Sequence, residues 1–361
     1  MAKAMLVIPA NLPMVALQQI FSAFPDLAPH LVVDGVGAVV DVPNNLVASI
    51  ASSPSVAALS TGPIANPQTL PIAPEAITWL EAWNRLFDPV YLDKLASRAL
   101  KWLNTSITCQ TVSAFGSPQP MMTLTGDIAV GILIVDGLAG STAQITSSEF
   151  LDITLALIQG FEILYRNAPS SAKLVFVAEQ RRIALSLNPA TVPGPVPDPS
   201  TATFADYEAR ESLWRDPALQ AIGFQAGLPG IDAYRANLMN RQWPAGAPRQ
   251  SIVVLLSKYS AAHFAYAASG RLLLQFDRAS LIVQPENLDR VIAHEICHLF
   301  NAPDEYGSCN PLQTFGPFGA VNGNCLNNPF AAIGHTPCLM AGEADDMCRF
   351  TKAHVGWVPL N

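Results

Sequence analysis

The apolar residues of this chain come in short runs separated by turn-forming residues, and this pattern restricts the fold most strongly. The best apolar run, residues 128–135, contains Gly131 and stops at Asp136, well short of the roughly 18 residues that a membrane-spanning helix needs. Apolar residues nevertheless make up 50% of the 361 residues, which is ample material for a packed core. We therefore expect no membrane span, and two domains or one large domain with an attachment.

The charge balance argues against nucleic acid as a partner. Charged residues make up 13% of the chain, with 20 Lys and Arg against 28 Asp and Glu, for a formal net charge of −8. So few basic residues cannot build the positive stripe that a phosphate backbone requires. We expect a partner of another chemical class.

Four of the six cysteines fall near the C-terminus, without the C-x-x-C spacing of a structural zinc site. They are Cys309, Cys325, Cys338 and Cys348. Two interpretations stay open: two disulfides in a loop-rich tail, which indicate an oxidising compartment, or buried free thiols. The first residues show no clear signal peptide. Secretion is the favoured location, and the cytoplasm is the alternative.

Residues 1–75 show the pattern of a small α+β domain, which would serve as a pro-segment or as a partner-binding module. The predicted elements are a strand at residues 5–8, a hairpin or bent strand at residues 31–42, and helices at residues 12–24 and 44–59. A proline-rich stretch over residues 61–74 is typical of a linker. Residues 76–120 have the spacing of a helical connector.

Residues 121–361 show a second pattern, in which strands alternate with helices. The predicted elements are strands at residues 126–135, 173–187 and 251–257, a long amphipathic helix at Ser147–Asn167, and a hairpin at residues 264–276. Ser147 or Ser148 is the expected cap of the long helix. The expected turn of the hairpin is Ser269-Gly270.

The segment His294-Glu-Ile-Cys-His298 lies late in a helix that is predicted to begin near Pro285 and Glu286. Residues four apart share one face of an α-helix, so the two imidazoles can bind one metal ion at about 2.0–2.1 Å. Glu295 is rotated by about 100° around the helix axis. Its carboxylate therefore lies beside the metal, where it can accept a proton from water and pass it to a leaving amine.

A catalytic zinc site needs three protein ligands and one open position, and this helix supplies only two. Asn301 tolerates the left-handed conformation that ends helices, and Pro303 prevents the helix from continuing. Asp304 follows ten residues after His294, where a carboxylate on the returning chain can reach the metal. Asp304 is therefore the candidate third ligand.

The segment from His294 to Asp304 resembles the extended zinc motif of the metzincin endopeptidases, H-E-x-x-H-x-x-G-x-x-H, in the form that ends in aspartate in snapalysin-like members. Asn301 stands in place of the glycine, and Asp304 in place of the third histidine. Residues 338–340, Cys-Leu-Met, are similar to the methionine-bearing turn under the metal of that family. Met340 would be the turn methionine.

The resemblance implies a zinc-dependent endopeptidase with one catalytic Zn²⁺. The implied zinc ligands are His294, His298 and Asp304. Glu295 would be the general base. The implied fold class is α+β to α/β: a twisted, mostly parallel sheet with an antiparallel edge strand, a long backing helix and an active-site helix in a catalytic domain over residues 121–361, preceded by the small α+β domain. A protein or peptide substrate would pair in extended form with the edge strand within residues 264–276.

Other assignments at the site stay open. Glu343 is an alternative third ligand in place of Asp304, because some H-E-x-x-H enzymes take a glutamate from later in the chain. No tyrosine follows Met340 by two residues, so Tyr306 or His335 would have to supply a group that stabilises the transition state. The oxygen-rich residues 304–328 are a possible Ca²⁺ site, with ordinary turn chemistry as the simpler interpretation.

Two other functions also remain open on the sequence alone. The same site would suit a zinc-dependent hydrolase of an amide or ester that is not a peptide. A non-catalytic adaptor with a structural zinc is the third possibility, although a structural site has no use for Glu295. Residues 1–75 contain no cysteine, so we expect no thiol that blocks the metal.

Overall fold

A nine-stranded mixed sheet runs through the molecule. The structure is a computed structural model, and it describes residues 1–98, 123–196, 201–244, 246–276, 287–307, 309–329 and 334–360. The strands are β1 (Ala2–Val7), β2 (Ala28–Val33), β3 (Gly37–Val42), β4 (Ala58–Ser60), β5 (Asp127–Asp136), β6 (Val175–Ala184), β7 (Gln250–Ser257), β8 (Ala265–Ala268) and β9 (Arg271–Gln275). Their order across the sheet is β4-β1-β3-β2-β6-β5-β7-β9-β8. A separate short hairpin consists of β10 (Thr314–Phe315) and β11 (Ala320–Val321).

The five central strands of the sheet, β2, β6, β5, β7 and β9, run parallel, and antiparallel strands lie at both ends. Strand β5, at the centre, is buried along nearly its whole length. It is apolar almost throughout because a parallel sheet carries helices on both faces. The protein thus has an α/β fold with a mostly parallel mixed sheet, and β8 is the expected antiparallel edge strand.

Helices cover both faces of the sheet. They are α1 (Val15–Ala23), α2 (Val47–Ala51), α3 (Pro74–Arg85), α4 (Pro89–Ser97), α5 (Ser147–Asn167), α6 (Phe204–Ala221), α7 (Leu228–Asn240), α8 (Leu288–Leu299) and α9 (Arg349–His354). Helices α3, α5 and α8 pack on one face, and α1, α6 and α7 pack on the other. Within the described residues, no helix combines the length and the apolar character that a bilayer crossing requires.

Several predicted elements are confirmed in detail. Helix α5 has the predicted bounds, although its cap is Thr146, which shares a capping box with Glu149. The hairpin of β8 and β9 turns at Ser269 and Gly270, which have φ values of 49° and 76°. Positive φ at both central residues matches the right-handed twist of the flanking strands.

The helix expected over residues 44–59 was wrong in length. Only Val47–Ala51 form an α-helix, after a single 3-10 turn, and Ala58–Ser60 pair with β1 as strand β4. The apolar spacing across this segment is compatible with a helix, but Pro54 prevents helical continuation. Pairing with β1 then determines the extended conformation of Ala58–Ser60.

The strands of the first 60 residues belong to the same sheet as the rest of the protein. Strand β2 pairs in parallel with β6, with Leu31 opposite Phe176. The assignment of residues 1–75 to a separate domain stays a prediction. The strands of this segment continue the larger sheet without a break. Helices α3 and α4 form the first part of the predicted connector, whose remainder, residues 99–120, lies outside the described residues.

Gly160 on α5 allows helices α5 and α8 to approach closely. A Cβ atom at this position would lie 2.9 Å from the backbone oxygen of Asp289 and 2.9 Å from Cγ2 of Ile292, both on α8. We expect Gly160→Val to lower the free energy of unfolding by about 1–3 kcal/mol, the usual cost of overpacking. Urea unfolding measures this effect, and an unchanged or higher midpoint would show that α5 and α8 do not pack as described.

Candidate metal centre

The N-terminal turn of α8 is held in place by buried ion pairs. Arg98 contacts Asp289 at 2.8 Å and Asp345 at 2.6 Å, and Nε of Arg290 donates to Asp345 at 2.6 Å. The carboxylate of Asp289 also lies in the first turn of α8, where the helix dipole favours negative charge. These contacts fix the position of the helix that carries the H-E-x-x-H segment. Its first described helical residue is Leu288, and the predicted start at Pro285 and Glu286 lies outside the described residues.

The C-terminal end of α8 forms as the sequence predicts. Asn301 adopts the left-handed conformation with φ of 71°, and the amide of Ala302 donates to the carbonyl oxygen of Cys297 at 3.0 Å. This arrangement ends the helix and satisfies one of its last carbonyl groups. The chain then reverses through Pro303 and carries Asp304 back to the histidines.

Asp304 and the two histidines of α8 converge on one point. Oδ1 of Asp304 lies 3.1 Å from Nε2 of His294 and 3.3 Å from Nε2 of His298. Two ligands that are each about 2.0–2.1 Å from a tetrahedral zinc ion are about 3.3 Å apart. Both distances from Asp304 therefore match the spacing of two zinc ligands. Nε2 of His298 is buried and makes no hydrogen bond within the described part of the chain.

The other ring nitrogen of each histidine contacts a backbone carbonyl. Nδ1 of His294 donates to the oxygen of Leu339 at 3.1 Å, and Nδ1 of His298 donates to the oxygen of Ala302 at 2.7 Å. In this structure Nε2 of His294 donates to Oδ1 of Asp304 at 3.1 Å. A proton held on Nδ1 would leave the lone pair of Nε2 free for a metal ion that displaces the Nε2 proton. Such outer contacts set the tautomer and the orientation of metal-binding histidines.

Glu295 lies beside these ligands, as predicted. Its side chain is buried, with 1% exposure. One of its carboxylate oxygens and one nitrogen from each of His294 and His298 lie within 4.8 Å of one another. The carboxylate is thus close enough to exchange a proton with a water molecule at the ligand cluster.

Asp304 and His298 each stabilise the charged form of the other. Burial disfavours the charged form of both groups, but the Asp304 carboxylate outweighs this effect and raises the pKa of His298 to about 9. Conversely, His298 and His294 lower the pKa of Asp304 to about 2. Asp304 is therefore ionised at neutral pH, as a metal ligand must be.

Metal binding at this site should become stronger as the pH rises. Below about pH 9 a cation must displace a proton from His298, so we expect the apparent affinity for zinc to increase about tenfold per pH unit between pH values of about 6 and 8. Calorimetric titration in buffers of different ionisation enthalpy measures the protons released. Equal affinity at the two ends of this range, without proton release, would contradict the prediction.

The turn around Met340 packs against the metal helix. Residues Leu339–Ala341 form a buried 3-10 turn that ends at Gly342 with φ of 68°. The turn is tied to the site twice: Leu339 accepts the hydrogen bond from His294, and the amide of Glu305 donates to the oxygen of Met340 at 3.0 Å. Met340 therefore lies in a buried turn that is hydrogen-bonded to His294 and Glu305, and its role as a turn methionine stays a prediction.

The alternative site residues have other partners. Oε2 of Glu343 lies 2.5 Å from Nε2 of His335, whose Nδ1 contacts the oxygen of Asn324 at 2.7 Å. The structure thus brings Asp304 rather than Glu343 to the two histidines. The ring of Tyr306 stacks on that of His294, with centroids 6.1 Å apart.

Turn chemistry occupies most of the oxygen-rich segment proposed for Ca²⁺. Four asparagine amides there donate to nearby oxygens. These asparagines are Asn322, Asn324, Asn327 and Asn328. Among the described acidic, histidine and cysteine residues, the second group with metal-ligand spacing is Glu305, Cys338 and Cys348. A Ca²⁺ ion stays a prediction without further support.

The C-terminal cysteines divide between the two interpretations. Cys309 and Cys325 form a disulfide, with Cα atoms 5.8 Å apart, while Cys338 and Cys348 are buried free thiols. Burial raises the pKa of the Cys338 thiol well above its ordinary value, and Cys348 donates to the Glu305 carboxylate at 3.0 Å. Each of the two open interpretations therefore holds for one pair of these cysteines.

His263 is a residue near the site that sequence patterns did not single out. It is buried, and its Nδ1 contacts the oxygen of Ala265 at 2.5 Å. Burial lowers its pKa, and Glu295 and Asp304 are close enough to oppose this shift. A single histidine outside any motif carries no signal of its own, because only the fold brings it towards α8.

A pocket next to His298 is the second feature that the sequence did not reveal. Its volume is about 490 Å³. The lining residues are His298, Asn301, Ala302, Pro303, Thr314, Phe315, Gly316, Pro317 and Gly319. The helix end and the β10–β11 hairpin thus form its two walls. The pocket gives a molecule from solvent a place to bind directly beside a candidate metal ligand.

The geometry defines the class of site: two imidazoles and one carboxylate converge, and a second carboxylate lies beside them. This donor set is typical of a mononuclear metal centre with three protein ligands. Comparisons with known proteins add no family to this description. No protein family, no curated protein and no solved structure matches this chain. Any function of the site is therefore proposed from its own residues and their geometry.

Proposed function

We propose that this protein is a zinc-dependent endopeptidase of the metzincin type. The observation that carries the proposal is the convergence of Nε2 of His294, Nε2 of His298 and Oδ1 of Asp304, with separations of 3.1 and 3.3 Å. Two nitrogen donors and one carboxylate oxygen are a usual ligand set for catalytic zinc. The buried Nε2 of His298, which makes no hydrogen bond within the described residues, fits a metal as its partner.

The residues of the site have separable roles in hydrolysis. A zinc ion bound there would lower the pKa of water and polarise a carbonyl group. Glu295 takes the proton of the attacking water and transfers it to the departing amine. The carbonyl oxygens of Leu339 and Ala302 hold the two imidazoles in the binding orientation. None of these steps needs a covalent bond between the enzyme and its substrate.

Metal analysis combined with digestion of a peptide library tests the proposal. We expect about one zinc per chain, cleavage of internal peptide bonds, loss of cleavage with a chelator, and recovery on addition of zinc. Purified protein that contains zinc but cuts no member of the library would refute the endopeptidase proposal. Protein that binds no zinc would refute the metal site as well.

A zinc-dependent hydrolase of a small amide or ester is the second candidate. It is favoured by the burial of strand β8, whose residues are each at most 9% exposed. A peptide can pair with this edge strand only after the strand is uncovered, whereas a small substrate needs only the pocket beside His298. Cleavage of small esters or amides without cleavage of the peptide library would favour this candidate.

A further inference from the structure

The pocket next to His298 is close to the metal ligands on one side and bounded by a rigid hairpin on the other. We call it the side pocket; its lining is the set of nine residues given above. His298 and Ala302 belong to the wall that holds the candidate ligands, since Ala302 accepts the hydrogen bond from His298. A group that fills this pocket therefore lies directly beside a candidate metal ligand.

The opposite wall is fixed to helix α9. The ring of Phe315 contacts the ring of His354, with centroids 5.7 Å apart, and Nε2 of His354 lies 3.1 Å from the oxygen of Val321. Gly316 has a φ of 68°, and a Cβ atom there would lie 2.2 Å from the backbone oxygen of His354. This wall is therefore preformed, which reduces the cost of ordering it when a ligand binds.

The described lining of the side pocket carries no permanent charge. Among its nine described residues there is no Lys, Arg, Asp or Glu, and the one titratable residue of the nine, His298, must be neutral when it binds a metal. Phe318 and Leu312, on and beside the hairpin, are 46% and 68% exposed. Exposed apolar residues next to a concave site are typical of binding surfaces. A charged group in the pocket would lose water contacts without gaining an opposite charge.

We propose that the side pocket binds one large uncharged side chain of the substrate and sets the sequence preference of cleavage. The volume of about 490 Å³ lies within the range of about 300–1,000 Å³ that is usual for ligand pockets. It can therefore accept an aromatic or a long aliphatic side chain. The inference rests on the proposed function, because it assigns a subsite to the same catalytic centre.

Thr314 offers a direct test, since it is exposed and lines the pocket. In a peptide library, we expect the wild-type protein to favour Phe, Leu or Met over Lys, Arg, Asp and Glu at one subsite by at least about tenfold. Thr314→Glu should raise cleavage with Lys or Arg at that subsite by about tenfold, and Thr314→Lys should do the same for Asp or Glu. Gln313→Glu and Gln313→Lys are matched controls, because Gln313 is exposed but outside the lining, and they should leave the profile unchanged.

A binding measurement separates this inference from the proposed function. Hydroxamates of phenylalanine, leucine, lysine and glutamate bind metals without being hydrolysed, and their affinities for the zinc-loaded protein should follow the same order as the subsite preference. Discrimination among hydroxamates without peptide cleavage would remove the endopeptidase proposal and keep the pocket. Peptide cleavage with identical profiles in the wild type and both Thr314 variants, or a preference for charged residues in the wild type, would overturn the pocket assignment.

Discussion

Glu295→Gln is expected to lower the rate of peptide hydrolysis by about 10²–10⁴-fold or more, as loss of a general base does, while the zinc content stays at the wild-type level. Glutamine has nearly the same shape as glutamate but cannot accept the proton of the attacking water. The three candidate ligands do not include Glu295, so the metal should remain bound. Steady-state kinetics and metal analysis of the same preparation measure the two effects.

Glu343→Gln is the matched control for this change. Glu343 contacts His335 rather than the ligand cluster, so its replacement should leave zinc content and turnover close to those of the wild type. A variant Glu295→Gln that cuts peptides as fast as the wild type would show that Glu295 is not the base. Loss of zinc from Glu343→Gln would instead indicate that Glu343 is a ligand.

Asp304→Asn is expected to weaken zinc binding more than the about 10–100-fold that loss of an outer-shell partner costs, because it removes the one anionic ligand. The amide keeps the size of the side chain, so packing around α8 should change little. The substitution would also remove the negative charge that now raises the pKa of His298. Competition with a chelator of known affinity measures the change.

Asp346→Asn is the matched control for Asp304→Asn. Asp346 is exposed, and its backbone oxygen, which the substitution keeps, accepts a hydrogen bond from Leu339 in the turn below the site. Zinc affinity should therefore be unchanged in this variant. An Asp304→Asn protein that binds zinc as tightly as the wild type would remove Asp304 from the ligand set.

Local sequence patterns were sufficient to predict the structure wherever neighbouring residues determine the backbone conformation. The periodicity of α5, the turn at Ser269 and Gly270, and the left-handed residue Asn301 each depend on a few adjacent residues. The spacing of His294, His298 and Asp304 likewise combines one helical turn with one chain reversal. These features could be predicted because the structure adds little to what the local sequence specifies.

Local sequence patterns could not predict the contacts between distant parts of the chain. Asp345 forms ion pairs with Arg98 and Arg290, which are far from it in the sequence. The sequence alone indicates instead that the adjacent residues Asp345 and Asp346 are solvated. The burial of His263 and the side pocket also depend on how separate segments meet. Pairing of β2 with β6 decides that the N-terminal strands extend the main sheet, and no short-range signal specifies that partner.

The most direct test of the metal centre is a crystal structure of the zinc-supplemented protein with diffraction recorded on both sides of the zinc absorption edge. We expect one anomalous peak per chain, at about 2.0–2.2 Å from Nε2 of His294, Nε2 of His298 and a carboxylate oxygen of Asp304. A map without zinc at this position, or one in which Asp304 lies away from the bound ion, would contradict the account.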